Sequence, residues 1–404
     1  MWRRTMKNKR IRILLGVLVL ATAAACGKAE EGSASGNGGA QSVVELNPAD
    51  GSVAISKAGE GGGEQAAEQP AEEEPAEEVE VVPEGMYRSE LTNEIIDEKL
   101  KNQRPIAAMV DNEVTALPHF GLTQADIVYE MMNSTKNGRI TRLMPIVKDW
   151  ENLVQFGSIR SARPTNFMIA AEYNAILCHD GGPFYINDYT AKKYTNNLSG
   201  GFARFDNGKS MEYTEYITYD DYTNAKGKSF SGLAKRIESA GYSTEYNSYY
   251  PGPHFLFSDK SYNLSDVYKD AESKKDISLP FPHNKSELHY NESTGTYDYS
   301  EYGEPHLDAQ NGNKQLTFKN VIIQKCNYTK LDDGGYLIYN CIVSTPWDGY
   351  FLTNGECIPI KWVKQGESAQ TVFTDLNGAM INLNTGKTYI AIVPDDVWSD
   401  LEMN

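Results

Sequence analysis

Positive charge is scarce in this chain: 38 Lys and Arg stand against 55 Asp and Glu over 404 residues, a formal net charge of −17. No basic stripe exists to neutralise successive phosphates, so nucleic acid is excluded as a partner. Cysteine is scarce as well, with 5. A chain of this size can build an apolar core without a disulfide framework. The 6 His form no close-spaced ligand set, so no metal site and no cofactor are expected. Phosphate loops and nucleophile elbows are missing too, and with them any direct disclosure of a reaction. Long apolar runs are absent: the run at 13–20 is far shorter than the roughly 20 residues a membrane-spanning helix needs.

That short run has the flanks of an export signal. Arg3, Arg4, Lys7, Lys9, Arg10 and Arg12 precede it, and Ala23, Ala24 and Ala25 follow it immediately before Cys26. The arrangement resembles a bacterial lipoprotein signal over residues 1–25, in which the Cys becomes the lipid-modified first residue of the mature chain. Removing the six basic residues of the signal takes the net charge from −17 to −23. Residues 26–86 are rich in Gly, Ala, Ser, Glu and Pro and nearly devoid of aromatics. Such a segment cannot bury enough apolar surface to offset the entropy of ordering, so it reads as a disordered acidic tether.

The stretch 157–182 organises the remainder. Pro164 suits the first turn of a helix, where its missing N–H has no intrahelical partner, so a strand ending near Ile159 should hand over to a helix at 164. Phe167, Ala170, Ala171 and Asn174 keep helical spacing, and 175–178 is an apolar run that delivers His179 and Asp180 to a Gly-Gly turn. Arg160, Ser161 and Arg163 would therefore crowd a helix N-terminus, whose free N–H groups suit a phosphate, sulfate or carboxylate. The alternative is internal pairing, with the arginines clamping Asp111, Glu130 or Asp180.

Strands are expected at 106–110, 126–131 and 140–147, the first ending in Asp111 and Asn112. Arg139 and Arg142, three apart, share a face only if the strand starts after Arg139 or bulges. A short helix is expected at 94–101 and a longer one at 230–241. Residues 185–302 hold 17 of the 25 Tyr and no Trp, more simply half-buried packing than a sugar-gripping surface. From 286 onward, runs at 316–325, 336–343, 356–363, 370–374, 379–383 and 388–393 alternate with Gly-containing turns, as in an antiparallel sheet. Taking Asp333 and Gly334 as the centre of one hairpin puts Cys326 opposite Cys341 and leaves Cys178 and Cys357 unpaired. The fold expected is α+β: an α/β N-terminal domain at 87–260 with a central mixed sheet, then a β-rich antiparallel domain at 275–398.

Several segments together resemble the YerB family of bacterial lipoproteins. They are RPIAAMVDN at 104–112, GLTQADIVYE at 121–130, RITR at 139–142, GSIRSARP at 157–164, HDGG at 179–182, EPHLD at 304–308, NVII at 320–323, IKW at 360–362 and GKTY at 386–389. The resemblance implies an extracytoplasmic, lipid-anchored protein of a Gram-positive-type bacterium, with an α/β first part and a β-rich second part. It supplies no catalytic residue.

Two functions use the same residues. A tethered envelope module would recognise an anionic cell-wall component, a peptide carboxylate or a partner protein through Asp111, Asn112, Glu130, Arg139, Arg142, Arg160, Ser161, Arg163 and His179. A hydrolase or transferase on a wall polymer would use Glu130 or His179 as base and the arginines for a developing oxyanion. Ser161 lacks the glycine flanks of a nucleophile elbow, and Cys178 and His179, adjacent on a strand, face opposite ways. The binding module is the reading carried forward, with the membrane as partner through its lipid anchor.

Overall fold

The computed structural model describes residues 81–404, together with the backbone of two strands, Val43–Leu46 and Val53–Ser56, that pair antiparallel. The signal at 1–25, Cys26 and the rest of the tether lie outside the described residues. The paired strands correct the expectation of a wholly unstructured 26–86. VVEL and VAIS are rich in β-branched Val and Ile. Met86, placed in the tether, opens a strand, Met86–Arg88, that pairs with Ile95–Asp97. The lead-in helix expected at 94–101 is thus a strand followed by the single turn Glu98–Leu100.

Residues 81–404 belong to one compact unit around a mixed sheet of 12 strands. In chain order these are β1 (Ile106–Ala108), β2 (Val110–Asp111), β3 (Ile127–Met132), β4 (Thr141–Val147), β5 (Ile176–His179), β6 (Asn196–Ser199), β7 (Glu272–Ser273), β8 (Asn320–Cys326), β9 (Val343–Thr353), β10 (Glu356–Lys364), β11 (Thr371–Thr374) and β12 (Thr388–Pro394). Across the sheet the order is β6-β5-β1-β4-β3-β12-β8-β9-β10-β7, with β2 on β4 and β11 on β10. The two parts expected from sequence share this sheet. β12 lies between β3 and β8 and runs parallel to both, so the second part is not purely antiparallel. The reason is edge protection: β3, buried along its whole length, would otherwise leave an edge unpaired, and β12 covers it.

The α/β character expected of the first part is thin. Its main helix, α1 (Pro164–Glu172), has nine residues, and Leu233–Ser239 has seven where 230–241 was expected. Strands predominate, and a second sheet of six strands spans Asp276–Ser278, Glu287–Asn291 and Thr296–Glu301 with shorter partners. β9 is the longest miss. Pro346, Asp348 and Gly349 inside it read as a loop, and the register with β10 does shift between Val343 and Trp347.

Side chains alternate across a strand, so the sheet has two buried faces. One core takes Ile127, Tyr129 and Met131 of β3 with Ile390 and Ile392 of β12, and α1 covers it with Phe167, Met168 and Ile169. The other takes Val128 with Tyr389, Ala391 and Val393, and the second sheet covers it with Ile277, Leu288, Tyr297 and Tyr299. Each fully buried aliphatic contributes about 2 kcal/mol, which explains why a sheet covered on both faces is made of nearly continuous apolar runs.

The hairpin Tyr328–Lys330 with Leu337–Tyr339 has the register expected from its turn, Tyr328 opposite Tyr339. Continued outward, that register sets Cys326 against Cys341. Both thiols are free and buried, as are Cys178 and Cys357.

Candidate functional site

Three arginines gather where α1 begins, on the sheet face that α1 covers. The turn is built by backbone pairing: Arg160 N donates to Met109 O at 2.8 Å, Asp180 N to Arg160 O at 2.9 Å, and Ala162 N to Gly181 O at 3.0 Å. Asn166 caps the helix, its Oδ1 accepting from Arg163 N at 2.6 Å. Arg160 pairs with two carboxylates, Nε 2.8 Å from Asp111 and Nη2 3.0 Å from Glu212. The first is an ion pair without an aligned hydrogen bond. Arg142 donates to the carbonyl of Ser161 and stands 4.0 Å from Asp111. Burial pulls its pKa down to about 10.

Arg163 differs from both. Its guanidinium donates only to backbone carbonyls, Asn133 O at 3.2 Å and Ala162 O at 2.9 Å, and stacks over Tyr336 at 4.8 Å. No carboxylate pairs with it among the described residues. Burial first, then repulsion from Arg142 and Arg160, pull its pKa down to about 9. Met109, Asn133, Arg142, Arg163 and Asn166 line a small recess there.

The sequence-predicted set does not form one site, and strand alternation is the reason. Val110 points into the second-sheet core, so Asp111 turns to the α1 face and Asn112 turns away from it. Asn112 and Glu130 therefore belong to a different assembly. Glu130 is wholly buried between the sheets and accepts from Thr141 Oγ1 at 2.6 Å, Ser286 Oγ at 2.7 Å and Tyr299 OH at 3.0 Å, and also from Tyr389 OH. Asn112 donates to Thr141 Oγ1 at 3.0 Å and to Glu130 at 3.4 Å. Burial raises the pKa of Glu130 against the pull of these donors. Close by, Glu301 is pushed up to about 7, and His119 and His306 are pushed down to about 4, again chiefly by burial.

Arg139 stands apart from both assemblies. β4 does begin after it, at Thr141, yet Arg139 forms a bidentate pair with Asp396 at 2.7 and 3.1 Å. Ser161 Oγ donates to Asp180 O at 2.8 Å. The His179 ring nitrogens lie 2.8 Å from Gly181 O and 3.1 Å from Asn197 Oδ1, and its ring meets Phe167 edge-on. These contacts pair Ser161 with no base and leave His179 serving the turn. Sequence reasoning did not find Tyr336 or Glu212 in the arginine site, nor Ser286, Tyr299, Glu301 and His306 in the buried one. Most lie more than a hundred residues from the groups they meet, and only EPHLD at 304–308 marked the region in advance.

With the geometry in place, comparison with known proteins is informative. Residues 91–242 match the N-terminal domain and residues 277–390 the C-terminal domain of "Protein of unknown function (DUF3048)". The chain belongs to the DUF3048 family. It is 24% identical over 315 residues to "Putative lipoprotein YerB" of Bacillus subtilis, covering 76% of this chain and 86% of the relative. The crystal structure of YerB protein from Bacillus subtilis has a similar fold, with a TM-score of 0.62 at 21% identity over 78% of this chain and 99% of that one. Asp111, Arg142, Arg160 and Arg163 fall inside the DUF3048 N-terminal match, and Glu301, His306 and Asp308 inside the C-terminal one.

Proposed function

We propose that this DUF3048 protein is a lipid-anchored module on the outer face of the cell membrane that binds an anionic group, a carboxylate or phosphate of a cell-wall component or partner protein, between Arg142 and Arg163. The observation that carries the reading is the state of Arg163: a largely buried guanidinium with no carboxylate partner among the described residues, crowded by two other arginines. An arriving anion would relieve that repulsion and accept the charge-assisted hydrogen bonds that backbone carbonyls now take. The rival, an internal clamp, describes Arg160 well, since it already holds two carboxylates.

Titration of the protein with inorganic phosphate, and in parallel with a dipeptide bearing a free C-terminal carboxylate, tests the reading. Arg163→Ala should weaken binding by about 10- to 100-fold, the equivalent of one charge-assisted hydrogen bond or two. The melting temperature should move only a few degrees, because the guanidinium gives the fold no ion pair and its partners are backbone carbonyls. A large drop in melting temperature with unchanged anion affinity would assign Arg163 to the clamp instead.

The anchor reading rests on Cys26 at the end of the export signal and on a relative named as a lipoprotein. No helix among the described residues is long and apolar enough to cross a membrane. Replacing Cys26 by Ser should move the protein from the membrane fraction to the medium or leave it unprocessed. Normal processing and membrane recovery of Cys26→Ser would rule out lipidation at this position.

A further inference from the structure

Three buried polar atoms that lack a hydrogen-bond partner among the described residues belong to one group: His119 Nδ1, His306 Nε2 and Asn112 Oδ1. The other ring nitrogens are engaged. His119 Nε2 lies 2.6 Å from the carbonyl of Asp111, and His306 Nδ1 lies 2.9 Å from Glu301 Oε1. A carbonyl oxygen only accepts, so His119 carries its proton on Nε2 and its Nδ1 is a bare lone pair in the interior. His306 Nδ1 and Glu301 Oε1, 2.9 Å apart, are spaced much as two ligand atoms of one ion would be. The rings are 5.0 Å apart, and one donor atom from each of His119, Glu301 and His306 lies within 4.8 Å of the others. Exposure is 0%, 1% and 3% for His119, Glu301 and His306.

We propose that His119, Glu301 and His306 bind a divalent transition-metal ion of the zinc class as a closed structural site. A histidine ligand commonly donates its second ring N–H to a carbonyl or carboxylate, which fixes the tautomer and aims the free lone pair at the metal, and the Asp111 carbonyl holds His119 in that manner. His306 would bind through Nδ1, beside Glu301, with its proton on Nε2. Tetrahedral bonds of about 2.05 Å put ligand atoms about 3.4 Å from one another, so the donors need close by about 1.4 Å at most. Two imidazoles and a carboxylate select zinc-like ions over calcium or magnesium, which take oxygen ligands. The Asn112 amide borders Glu301, and its unpaired oxygen or a water completes the set. His119 lies between β2 and β3, whereas Glu301 and His306 belong to the second sheet and the residues just after it. The ion would therefore staple the second sheet to the central one. This inference does not depend on the anion-binding reading, which concerns the opposite face of the sheet.

The competing occupant is a buried water bonded to the bare lone pair of His119. Metal content of the untagged full chain, purified from zinc-containing medium, separates the two. The protein should hold about one equivalent of zinc, the stoichiometry of a single closed site. A strong chelator should lower its melting temperature, zinc should restore it, and Co2+ put in its place should show the visible bands of tetrahedral nitrogen and oxygen ligation. His119→Gln and His306→Gln should each lose at least about ten-fold in zinc affinity, while His289→Gln, at an exposed pair with Asp276, should retain the metal. If either of the first two fails to fold, the isosteric Glu301→Gln reports the same loss. Wild-type protein free of metal and indifferent to added zinc would hand the cavity to water. Full zinc content in both His119→Gln and His306→Gln would equally overturn the assignment.

Discussion

Glu130→Ala is expected to destabilise the protein by about 3–5 kcal/mol, the range for removing one partner from a buried polar network. The carboxylate accepts from Thr141, Ser286, Tyr299, Asn112 and Tyr389. Those donors come from β4, β12, the second sheet and the loop preceding that sheet's Glu287–Asn291 strand. Without an acceptor each stays dry between two packed sheets, and each unsatisfied donor costs about 1–3 kcal/mol before relaxation. The midpoint of thermal unfolding should fall by roughly 10 °C. Glu130→Gln keeps the volume and one acceptor oxygen and should cost about 1–2 kcal/mol. Both variants also change the pH response. The folded-state pKa of Glu130 is raised above its ordinary 4.5, so the folded protein holds that proton more tightly than the unfolded chain. Its stabilising effect is fully present below pH 4.5 and is lost as pH rises through the folded value, a trend that either variant should flatten. Urea unfolding across pH reads both effects. A loss under about 1 kcal/mol for Glu130→Ala would mean that the donors find other partners.

Asp308→Ala should cost about 2–4 kcal/mol, through lost charge-assisted bonds rather than a cavity. Asp308 joins the two family segments: its carboxylate accepts from Gly121 N at 2.7 Å, Thr123 N at 2.9 Å and Thr123 Oγ1 at 2.6 Å. It also holds its own turn, through Gln310 N and Asn311 Nδ2, both at 2.9 Å. Burial opposes ionisation here, but the donors prevail and keep the pKa below 3.8. The sign is therefore opposite to that of Glu130. The stabilisation is present above pH 3.8 and is lost as acid takes the pH through the folded value. Acid unfolding of the wild type should be steeper than that of Asp308→Ala, and parallel acid limbs would show that Asp308 is not held as a carboxylate. Gly121 adds a steric condition, since its φ is +81° and a Cβ there would lie 2.8 Å from Phe156.

Local chemistry announced much of this structure. Pro164 opens α1, the apolar runs became β3, β4, β5, β8, β10 and β12, and the Asp333 and Gly334 turn set its hairpin register. These features depend on neighbours within a few residues, where periodicity and turn preference act. The arginine cluster was legible for the same reason, since Arg160, Ser161 and Arg163 are held by the turn into α1. β9 was not, because pairing with β8 and β10 overrides the turn-forming residues it contains.

What the sequence by itself determined is the strands β3, β4, β5, β8, β10 and β12, the helix start at Pro164 and the gathering of Arg160 and Arg163 beside it. Only the tertiary structure decided that both halves share one sheet and that adjacent Asp111 and Asn112 serve different faces of it. It alone brought His119 to Glu301 and His306 across more than 180 residues. Alternation along a strand is written in the chain, but which face meets α1 and which meets the second sheet depends on long-range pairing, and no local spacing encodes that.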